Sequence, residues 1–486
     1  MIAPPEISWM AIAPDLALAV GAALVLLVDV QWKPLPRVLG WVVGVTLAVV
    51  TGLTVLQWLG GTDAAAAGDT GSLMAFSGMI TMDGFTVFSR LALITATALG
   101  VTGGWRFVVG LGRRGAEALA LVLLATAGFS LMVASNNLIM MFLGLEVGSI
   151  ALYVLAGMAR ERRESEEAAI KYFLLGSFAS ALFVYGVALI YAGTRQFEIL
   201  EIRRYLDDFI VTNPAVILVG LGLVIAGLGF KVSAAPFHAW APDVYQGAPA
   251  GLVGYMAAVA KVAGFAAITR ILLTALPELD ATWLPVVAGI SVLSMLLGSV
   301  LALVQGDVRR LLAYSGVAHA GFIMTGVVGG STEAILFYLA IYSIQLIGAF
   351  AVVAVVSGPD GSSSSMDLYR GLGRRSPLLA SSFAVLLLGM GGLPLTSGFV
   401  AKFGVFTEAW ARGYEWLVIV AVVASVLAFA FYIRVIVVMY MDDDGEEESP
   451  RVGPEGWVLA VAVGTTILWG IFPSSLLDLA ADALPL

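Results

Sequence analysis

Cysteine is absent from the 486-residue sequence, and histidine occurs only twice, at His238 and His319. Without cysteine the chain forms no disulfide and holds no thiolate-ligated iron–sulfur cluster, and two histidines do not make a histidine-rich metal site. The sequence also lacks a P-loop and a strand-flanked GxGxxG motif, because the GLG triplets at 227–229 and 371–373 stand alone. Any redox or nucleotide chemistry therefore belongs to other chains.

Charged residues are scarce, at 12% of the chain against 60% hydrophobic residues, and the mean hydropathy is +0.97. This leaves too little polar surface for a soluble globular protein, so the composition indicates a polytopic membrane protein. The 55 glycines fit that class, because small residues allow helix backbones to approach closely within a bilayer.

Long apolar runs recur along the whole chain. Fourteen of them approach the ~20 residues that a helix needs to cross a bilayer, which predicts an all-α polytopic membrane protein with about 14 transmembrane helices. No basic segment precedes the first run, and this favours a retained helix over a cleaved signal. The runs fall at 9–30, 37–59, 82–105, 115–135, 137–159, 167–192, 214–245, 249–275, 284–304, 309–329, 332–356, 377–411, 415–440 and 456–473.

The run that reads AGLGFKVSAAPFHAWAPDVYQGAP at 226–249 carries Lys231 and is interrupted at Pro236. Proline removes a backbone donor and clashes with the preceding helical turn, so this segment is predicted to be a broken membrane helix. Irregular backbone at that depth must be packed in protein or line a wet cavity. A lysine at the break is therefore a candidate functional residue.

A second interruption lies in GMGGLPLTSGFVAKF at 389–403, which carries Lys402, five helices after the first. Paired broken helices in corresponding positions are typical of inverted-repeat transporters, and an odd spacing gives the two units opposite orientations. We therefore predict two inverted five-helix repeats, each with a broken helix. The predicted divisions are a three-helix segment at 1–114, a first repeat at 115–275 broken near 231–236, a second repeat at 284–440 broken near 389–396, and an acidic loop with the last transmembrane helix at 441–486.

Basic residues are distributed unevenly between alternate loops. With the N-terminus outside, fourteen of them fall in cytoplasmic loops and four in outside loops, and an even helix count then puts both termini on the outer, periplasmic side. The acidic run at 442–448 would form a solvated cytoplasmic loop. The cytoplasmic set is Lys33, Arg37, Arg106, Arg113, Arg114, Arg160, Arg162, Arg163, Arg309, Arg310, Arg370, Arg374, Arg375 and Arg451, and the outer set is Arg195, Arg203, Arg204 and Arg412.

Several charged side chains lie inside the apolar runs. Each central charge costs about 2.5 to 3.5 kcal/mol on insertion scales, so charges retained there favour a function over a structural role. Lysine suits proton transfer because burial lowers the pKa of an ammonium group by up to about 3 to 5 units, whereas arginine keeps its proton. The residues to which this argument applies are Glu146, Lys231, Lys261 and Lys402.

Three further titratable residues allow two interpretations. Lys171 follows Glu167 by four residues near the start of its run, so it either pairs locally or forms a buried pair with Glu146. His238 stands among aromatic residues in PFHAW, and His319 lies in the middle of a run. Each histidine either belongs to a proton relay or is a hydrogen-bonded core histidine.

Four other charges are predicted to be structural. Asp83 and Arg90, two turns apart, would tie the end of a helix. Arg270 and Arg434 lie near predicted helix ends, where a long side chain extends to the membrane interface.

The segment GFKVSAAPFHAWAPDVYQGAP resembles the signature of the antiporter-like membrane subunits of proton-pumping NADH:quinone oxidoreductase, respiratory complex I, and the resemblance covers essentially the whole chain. Within that family, PDVYQGAP, KVAGF, MDLYRGLGRRSP and GLPLTSGFVAKF are similar to the subunit N branch. The chain departs from the family pattern at Ala250-Gly251, where Thr-Pro-Val is usual, and at Leu395, where proline is commoner.

This resemblance implies a fourteen-helix fold that couples quinone reduction on other subunits to proton transfer at mid-membrane. A shift in the pairing of Glu146 with Lys171 would change the field at Lys231. The proton of Lys231 would then pass along Lys261 towards Lys402. The relay positions that the resemblance implies are Glu146, Lys171, Lys231, Lys261, Lys402, His238 and His319.

The resemblance also implies an assembly. The chain would be a subunit of a proton-translocating NADH:quinone oxidoreductase in a bacterial inner membrane, beside related antiporter-like subunits and small membrane subunits, with no nucleic-acid partner. It would carry no cofactor, and FMN, iron–sulfur clusters and quinone would lie on partner subunits. Two other classes stay open: a subunit of a multisubunit cation/proton antiporter of the same fold, recognised by sodium- or potassium-dependent transport without NADH, and a structural subunit whose charges can be neutralised without loss of pumping.

Overall fold

The computed structural model describes residues 8–33, 35–66, 73–209, 214–358, 363–442 and 449–485, with the side chains of 61–66 left out. Almost all of this part is helical. The first eleven helices are α1 (Trp9–Trp32), α2 (Pro36–Ala66), α3 (Gly84–Gly103), α4 (Trp105–Gly110), α5 (Arg114–Ala134), α6 (Leu138–Ala156), α7 (Arg163–Thr194), α8 (Ile199–Asp208), α9 (Ala215–Lys231), α10 (Trp240–Gly247) and α11 (Ala250–Thr269).

The second half continues in the same manner. Its helices are α12 (Asp280–Leu303), α13 (Val308–Gly329), α14 (Thr332–Val356), α15 (Leu372–Arg375), α16 (Pro377–Gly391), α17 (Ser397–Ala411), α18 (Glu415–Met441), α19 (Glu455–Ile471) and α20 (Ser474–Ala481). The shorter elements are a hairpin of β1 (Met74–Ala75) and β2 (Ile80–Thr81), a π-helical turn at Arg270–Ala275, and 3-10 turns at Pro277–Leu279 and Met366–Tyr369. Nearly all of the predicted acidic loop at 442–448 lies outside the described residues.

Eleven helices in the described ranges are long and apolar enough to cross a membrane. Helices α19 and α20 meet at an angle of 84° and make a twelfth span if they are counted together, while α9 and α16 are shorter apolar helices. Each of the fourteen predicted runs overlaps a helix. The amphipathic α8 and the short α20 were not predicted.

Both predicted helix breaks are confirmed. Helix α9 ends at Lys231, and the chain passes through Ser233, at a φ of 60°, before α10 begins. Helix α16 ends at Gly391, and Gly392 and Leu395 take φ values of 90° and 69° before α17 begins. A proline ring holds φ near −65°, so the proline that is commoner in the family at the position of Leu395 is incompatible with this backbone.

Glycines bring neighbouring helices into backbone contact. A Cβ at Gly128 of α5 would overlap the backbone of Gly148 on α6, and a Cβ at Gly298 of α12 would overlap the backbone of Ala318 on α13. The hydrophobic effect does not drive helix association in lipid, so close packing of this kind supplies much of the attraction between helices.

Two buried ion pairs attach α3 to the rest of the molecule. Arg90 binds Asp15 of α1 at 2.6 Å, and Asp83 binds Arg270 at 2.7 Å. The predicted tie of a helix end is confirmed for Asp83, which accepts from the Thr86 N–H at the start of α3, but is wrong for Arg90, whose partner lies on α1. The predicted extension of Arg270 to the interface is also wrong, since its side chain is 2% exposed; the exposed Arg434 does lie near a helix end.

Many of the residues assigned to cytoplasmic loops meet at one end of the helices. Arg106 donates to the carbonyl of Arg451 at 2.7 Å, and Arg162 and Arg309 line one cavity. Arg412, assigned to the outside, binds Asp280 at the opposite end of α12 from Arg309. For these five residues, the cytoplasmic and outside assignments fall at different ends of the helices.

Candidate functional site

Lys231 ends α9 inside a cage of aromatic rings. Its side chain is 3% exposed, and its Nζ donates to Ser149 Oγ on α6 at 2.8 Å. The ring centroids of Phe129, Tyr153 and Tyr172 lie 4.8, 6.0 and 5.8 Å from Nζ, distances at which ring faces attract a cation. An ammonium group has three donors, and the described protein groups accept one of them.

Glu146 lies one helical turn before Ser149 on α6. Its carboxylate accepts a hydrogen bond from Ser180 Oγ on α7, and its charge acts on Lys231. Residues three apart on a helix share a face, so Glu146 lies on the same side of α6 as Ser149, the residue that accepts from Lys231. Glu146 can therefore change the field at Lys231 without forming a direct ion pair.

Lys171 does not pair with Glu146. Its Nζ binds Glu167 and Asp243, each at 2.7 Å, and its side chain is 41% exposed. Ser180, where α7 meets Glu146, lies nine residues farther along, about 13 Å at 1.5 Å per residue, beyond the reach of a lysine side chain. The structure therefore supports the interpretation in which Lys171 pairs locally with Glu167. It adds a second partner that the sequence analysis missed.

That second partner, Asp243, joins three helices through ion pairs. One carboxylate oxygen binds Lys171 of α7, and the other binds Arg310 of α13 at 2.7 Å, while Asp243 itself lies on α10. Lys171 and Asp243 line a cavity of about 390 Å³. The sequence feature that could have identified Asp243 is an acidic residue within a broken apolar run.

Lys261 connects the first helix break with α13. Its side chain is 1% exposed, and its Nζ donates to the carbonyls of Val232 and Gly316, both at 2.8 Å. Val232 directly follows Lys231 in the chain. The first helix break therefore adjoins Lys231 in sequence and contacts the ammonium group of Lys261 through this hydrogen bond.

His319 lies one turn beyond Gly316 on α13 and is held by two tyrosines. Its Nδ1 is 2.8 Å from the hydroxyl of Tyr338, and its Nε2 is 3.2 Å from the hydroxyl of Tyr432. The charged groups that act on the ring are Lys261 and Lys402. His319 therefore lies within electrostatic range of both lysines.

Lys402 lies in the second turn of α17 and is 5% exposed. Its Nζ donates to the carbonyl of Gly391 at 2.9 Å and stands 4.5 Å from the ring centroid of Phe322, one turn beyond His319. Gly391 is the last residue of α16, so the second break, like the first, offers a backbone carbonyl to a buried lysine.

His238 belongs to the first break but is separate from this series. Its ring stands edge-on to Tyr314, with centroids 6.4 Å apart, and its buried Nδ1 binds no protein group among the residues described. The structure does not bring His238 into hydrogen-bond contact with Lys231 or Lys261.

The tyrosines around the charges are the functional candidates that the sequence analysis did not identify. They are all buried and lie within apolar runs, so no periodic pattern separates them from core residues. Within the described ranges, no group of three or more His, Cys, Asp and Glu side chains is arranged to hold a metal ion. The members of the tyrosine set are Tyr153, Tyr172, Tyr338, Tyr342 and Tyr432.

A long helical membrane fold with two broken helices and a line of buried lysines is the architecture of antiporter-like proteins, and comparison with known families agrees. The family model described as "NADH:quinone oxidoreductase/Mrp antiporter, TM" matches residues 135–428. The chain belongs to the subunit N family of NADH-quinone oxidoreductase, whose members are antiporter-like, proton-translocating membrane subunits.

Individual relatives support this assignment. NADH-quinone oxidoreductase subunit N of Salinispora arenicola is 40% identical over 521 residues, covering 99% of this chain and 98% of the relative. The subunit N of Rhodococcus opacus is 46% identical over 378 residues, covering 76% of this chain and 69% of the relative. As a family member, the chain is a subunit of a multisubunit membrane enzyme.

Solved structures agree with the fold. A chain of respiratory complex I from Thermus thermophilus superimposes with a TM-score of 0.81 at 31% identity, covering 97% of this chain and all of that chain. A chain of the Mrp complex from Dietzia sp. superimposes with a TM-score of 0.84 at 21% identity, a likeness of fold alone.

Proposed function

We propose that the chain moves protons through a mid-membrane relay, driven by quinone reduction on other subunits. The order of the relay follows from contacts. Lys231 donates to Ser149, one turn from Glu146 on α6. Lys261 donates to Val232, the residue after Lys231, and to Gly316 on α13, the helix that carries His319. The proposed order is Glu146, Lys231, Lys261, His319 and Lys402.

The observation that carries this proposal is the contrast between two kinds of buried cation. Arg90 and Arg270 each bind a carboxylate, as structural charges in a low-dielectric interior must. Lys231, Lys261 and Lys402 are equally buried, yet in the described part of the chain each binds only a hydroxyl or backbone carbonyls. A cation without a fixed counter-ion is less costly when it can lose its proton, which lysine does and arginine does not.

Coupling between neighbouring members is electrostatic. Two unit charges at 4 Å interact by roughly 4 kcal/mol at an effective dielectric of 20, and by about half of that at 8 Å. A proton added to or removed from Glu146 therefore changes the free energy of protonating Lys231 enough to shift its occupancy. In the same way, the charges of Lys261 and Lys402 change the free energy of protonating His319.

Lys171 acts on the relay through Asp243 in this proposal. The ion pairs of Asp243 tie the second half of the broken helix to α7 and to α13 with Arg310, so a loosened Lys171 pair frees α10 to move. Since α10 follows the break after Lys231, such a movement changes the surroundings of the first buried lysine. His238, in the same break, would line the hydrated path without binding a lysine directly.

The topology that we propose has fourteen spans. The eleven long helices, the bent α19–α20 pair and the two broken helices α9–α10 and α16–α17 make up this number. Two inverted repeats at 115–275 and 284–440 follow a three-helix segment at 1–114 and precede the final segment at 441–486. In support, the first two helices of each repeat cross at glycines, and the fourth element of each is the broken one.

The assembly that we propose is a bacterial inner-membrane complex. Both termini would face the periplasm, because the basic residues cluster at the opposite end of the helices. Related antiporter-like subunits and small membrane subunits would flank the chain. FMN, iron–sulfur clusters and quinone would lie on partner subunits.

Lys261→Arg tests the relay. The variant keeps the charge but cannot release its proton, so we expect the complex to assemble while NADH-driven proton uptake by vesicles falls by about tenfold or more, the usual scale for losing a proton-transfer group. Uptake is normalised to the amount of this subunit. Lys33→Arg, at an exposed site, is the control for the lysine-to-arginine substitution itself. Normal pumping by Lys261→Arg would remove Lys261 from the relay.

A further inference from the structure

Tyr342 on α14 has a buried hydroxyl without a hydrogen-bond partner among the described residues. Buried polar groups in folded proteins nearly always have a partner, and each exception calls for an explanation. The two other tyrosines nearby, Tyr338 and Tyr432, both use their hydroxyls to bind His319. Tyr342 contacts the same histidine with its ring face, at 4.5 Å between centroids, and so keeps its hydroxyl for another group.

That hydroxyl faces the ammonium group of Lys261 across Gly316. A Cβ built at Gly316 would lie 3.2 Å from the Tyr342 hydroxyl, 3.6 Å from Lys261 Cε and 3.8 Å from Lys261 Nζ. Glycine at this position leaves a space between the two polar groups that any other residue would fill. Both groups point to the same small volume.

The donors and acceptors around this space are complementary. Lys261 Nζ gives two of its three protons to backbone carbonyls and has one N–H left. A bridging water can accept a hydrogen bond from this N–H. The same water can donate to the hydroxyl oxygen of Tyr342 or accept from its O–H. A buried water needs two to four polar partners, and this site offers the lysine and the tyrosine.

We infer that Gly316, Tyr342 and Lys261 form a water site, and that the bound water is the group with which Lys261 exchanges its proton. This inference rests on the proposed relay. The ammonium of Lys261 gives one proton to the water, leaving a neutral amine and a hydronium ion whose charge the Tyr342 hydroxyl oxygen stabilises. The hydronium then gives its extra proton to the hydroxyl of Tyr338 or Tyr432 while that hydroxyl passes its own proton to the His319 ring nitrogen to which it is bonded, and the hydronium becomes water again.

Tyr342→Phe removes the hydroxyl and nothing else. We expect the complex to assemble, because the ring still packs on His319, while proton uptake per amount of subunit falls by at least about tenfold, as for other lost proton-transfer groups. Tyr369→Phe is the matched control, since Tyr369 is also fully buried with an unpartnered hydroxyl but lies near Phe383, away from the lysines. It should pump normally.

Gly316→Ala fills the space without removing a polar group. The new methyl lies 3.2 Å from the tip of Tyr342, so the side chain needs to shift by only a few tenths of an ångström. The same loss of pumping is expected. Gly289→Ala, on α12 where a Cβ meets nothing within 4 Å, controls for the substitution and should leave pumping unchanged.

Electron cryo-microscopy of the assembled complex provides a readout that does not depend on activity. A water peak within hydrogen-bond distance of Lys261 Nζ and the Tyr342 hydroxyl, lost in Gly316→Ala, is the expected result. Full pumping by Tyr342→Phe and Gly316→Ala, or a site without that peak, would overturn the water site. If Lys261→Arg still pumps poorly in that case, the relay stands and only this step fails; if Lys261→Arg pumps normally, the relay itself fails.

Discussion

Buried charges in this protein differ in how firmly their partners hold them. Arg270 has a carboxylate and a hydroxyl within hydrogen-bond distance, whereas Lys231 has a hydroxyl and three aromatic rings. Aromatic faces stabilise a cation by about 0.5 to 2 kcal/mol, less than a buried ion pair, and do not trap its proton. At the scale of single residues, the site therefore favours exchange over permanent charge.

Asp243→Asn tests the ion pairs of Lys171. The substitution removes the charge that holds both Lys171 and Arg310, so we expect NADH:quinone activity and pumping to fall together. Glu167→Gln is the control, because Glu167 is 64% exposed and an exposed pair contributes about 0 to 1 kcal/mol. Steady-state activity and proton uptake measured in the same vesicles compare the two. Equal effects would mean that Asp243 is no more than a surface partner.

Glu146→Ala tests the first member of the relay. Loss of its charge changes the field at Lys231, so we expect coupled activity and proton uptake to decrease together, while Glu146→Asp keeps most of both. The amount of assembled subunit is measured alongside. A Glu146→Ala complex that pumps normally would contradict a role for this carboxylate.

The buried charges were predictable from the sequence, but their partners were not. A charge within an apolar run costs free energy wherever it packs, so Glu146, Lys231, Lys261 and Lys402 stand out without a structure. Which charges pair depends on how far two helices are shifted along their axes relative to each other, and the sequence does not contain this shift. The choice between Glu167 and Glu146 as the ion-pair partner of Lys171 therefore stayed open. Tyrosines are common in apolar helices, so the sequence did not distinguish the tyrosines of the site from ordinary core residues.

Broken helices are the elements that deliver backbone carbonyls to the buried lysines. Val232 and Gly391 belong to the two breaks, and each accepts a hydrogen bond from a lysine. A carbonyl within a regular helix already accepts a hydrogen bond from the residue four positions along, whereas a carbonyl at an interruption has no such helical partner and is open to a side chain. The apolar runs predicted both breaks, because proline and paired glycines are visible in a sequence. The amphipathic α8 was missed since its residues are too polar for a hydropathy search.

Gly392→Ala tests the second break. Gly392 has a φ of 90°, and a Cβ there would lie 3.1 Å from Lys402 Cδ. We expect backbone strain of about 1 to 2 kcal/mol together with displacement of Lys402, and hence lower pumping. Gly413→Ala is the control. Gly413 has nearly the same φ, 87°, and its Cβ would meet nothing within 4 Å, so this variant has the same backbone strain but does not displace Lys402. Thermal unfolding and proton uptake separate the two effects, and equal pumping by both variants would contradict a role for the break geometry.

At the scale of the whole molecule, the separation of basic residues between the two ends predicts the orientation in the membrane. Cysteine substituted at Ser363 or Ser449, both exposed at the basic end, should be labelled from the cytoplasmic side only. Cysteine at the exposed Asp208 should be labelled from outside. Ser364 is a poor site, since it is 2% exposed and bound to Asp307. The native chain has no cysteine to give a background, and labelling of Ser363→Cys from outside would reverse the proposed topology.

The central claim is that Lys231 gives up and regains a proton during turnover, and Lys231→Arg tests it most directly. The measurement is NADH-driven proton translocation by vesicles that contain the assembled complex, normalised to the amount of this subunit. A guanidinium group, with a pKa above about 12, keeps its charge and stays protonated. The account predicts normal assembly with pumping reduced by about tenfold or more, as expected when a proton-transfer group is lost. Near-normal pumping would contradict it, because a structural cation needs only charge and reach.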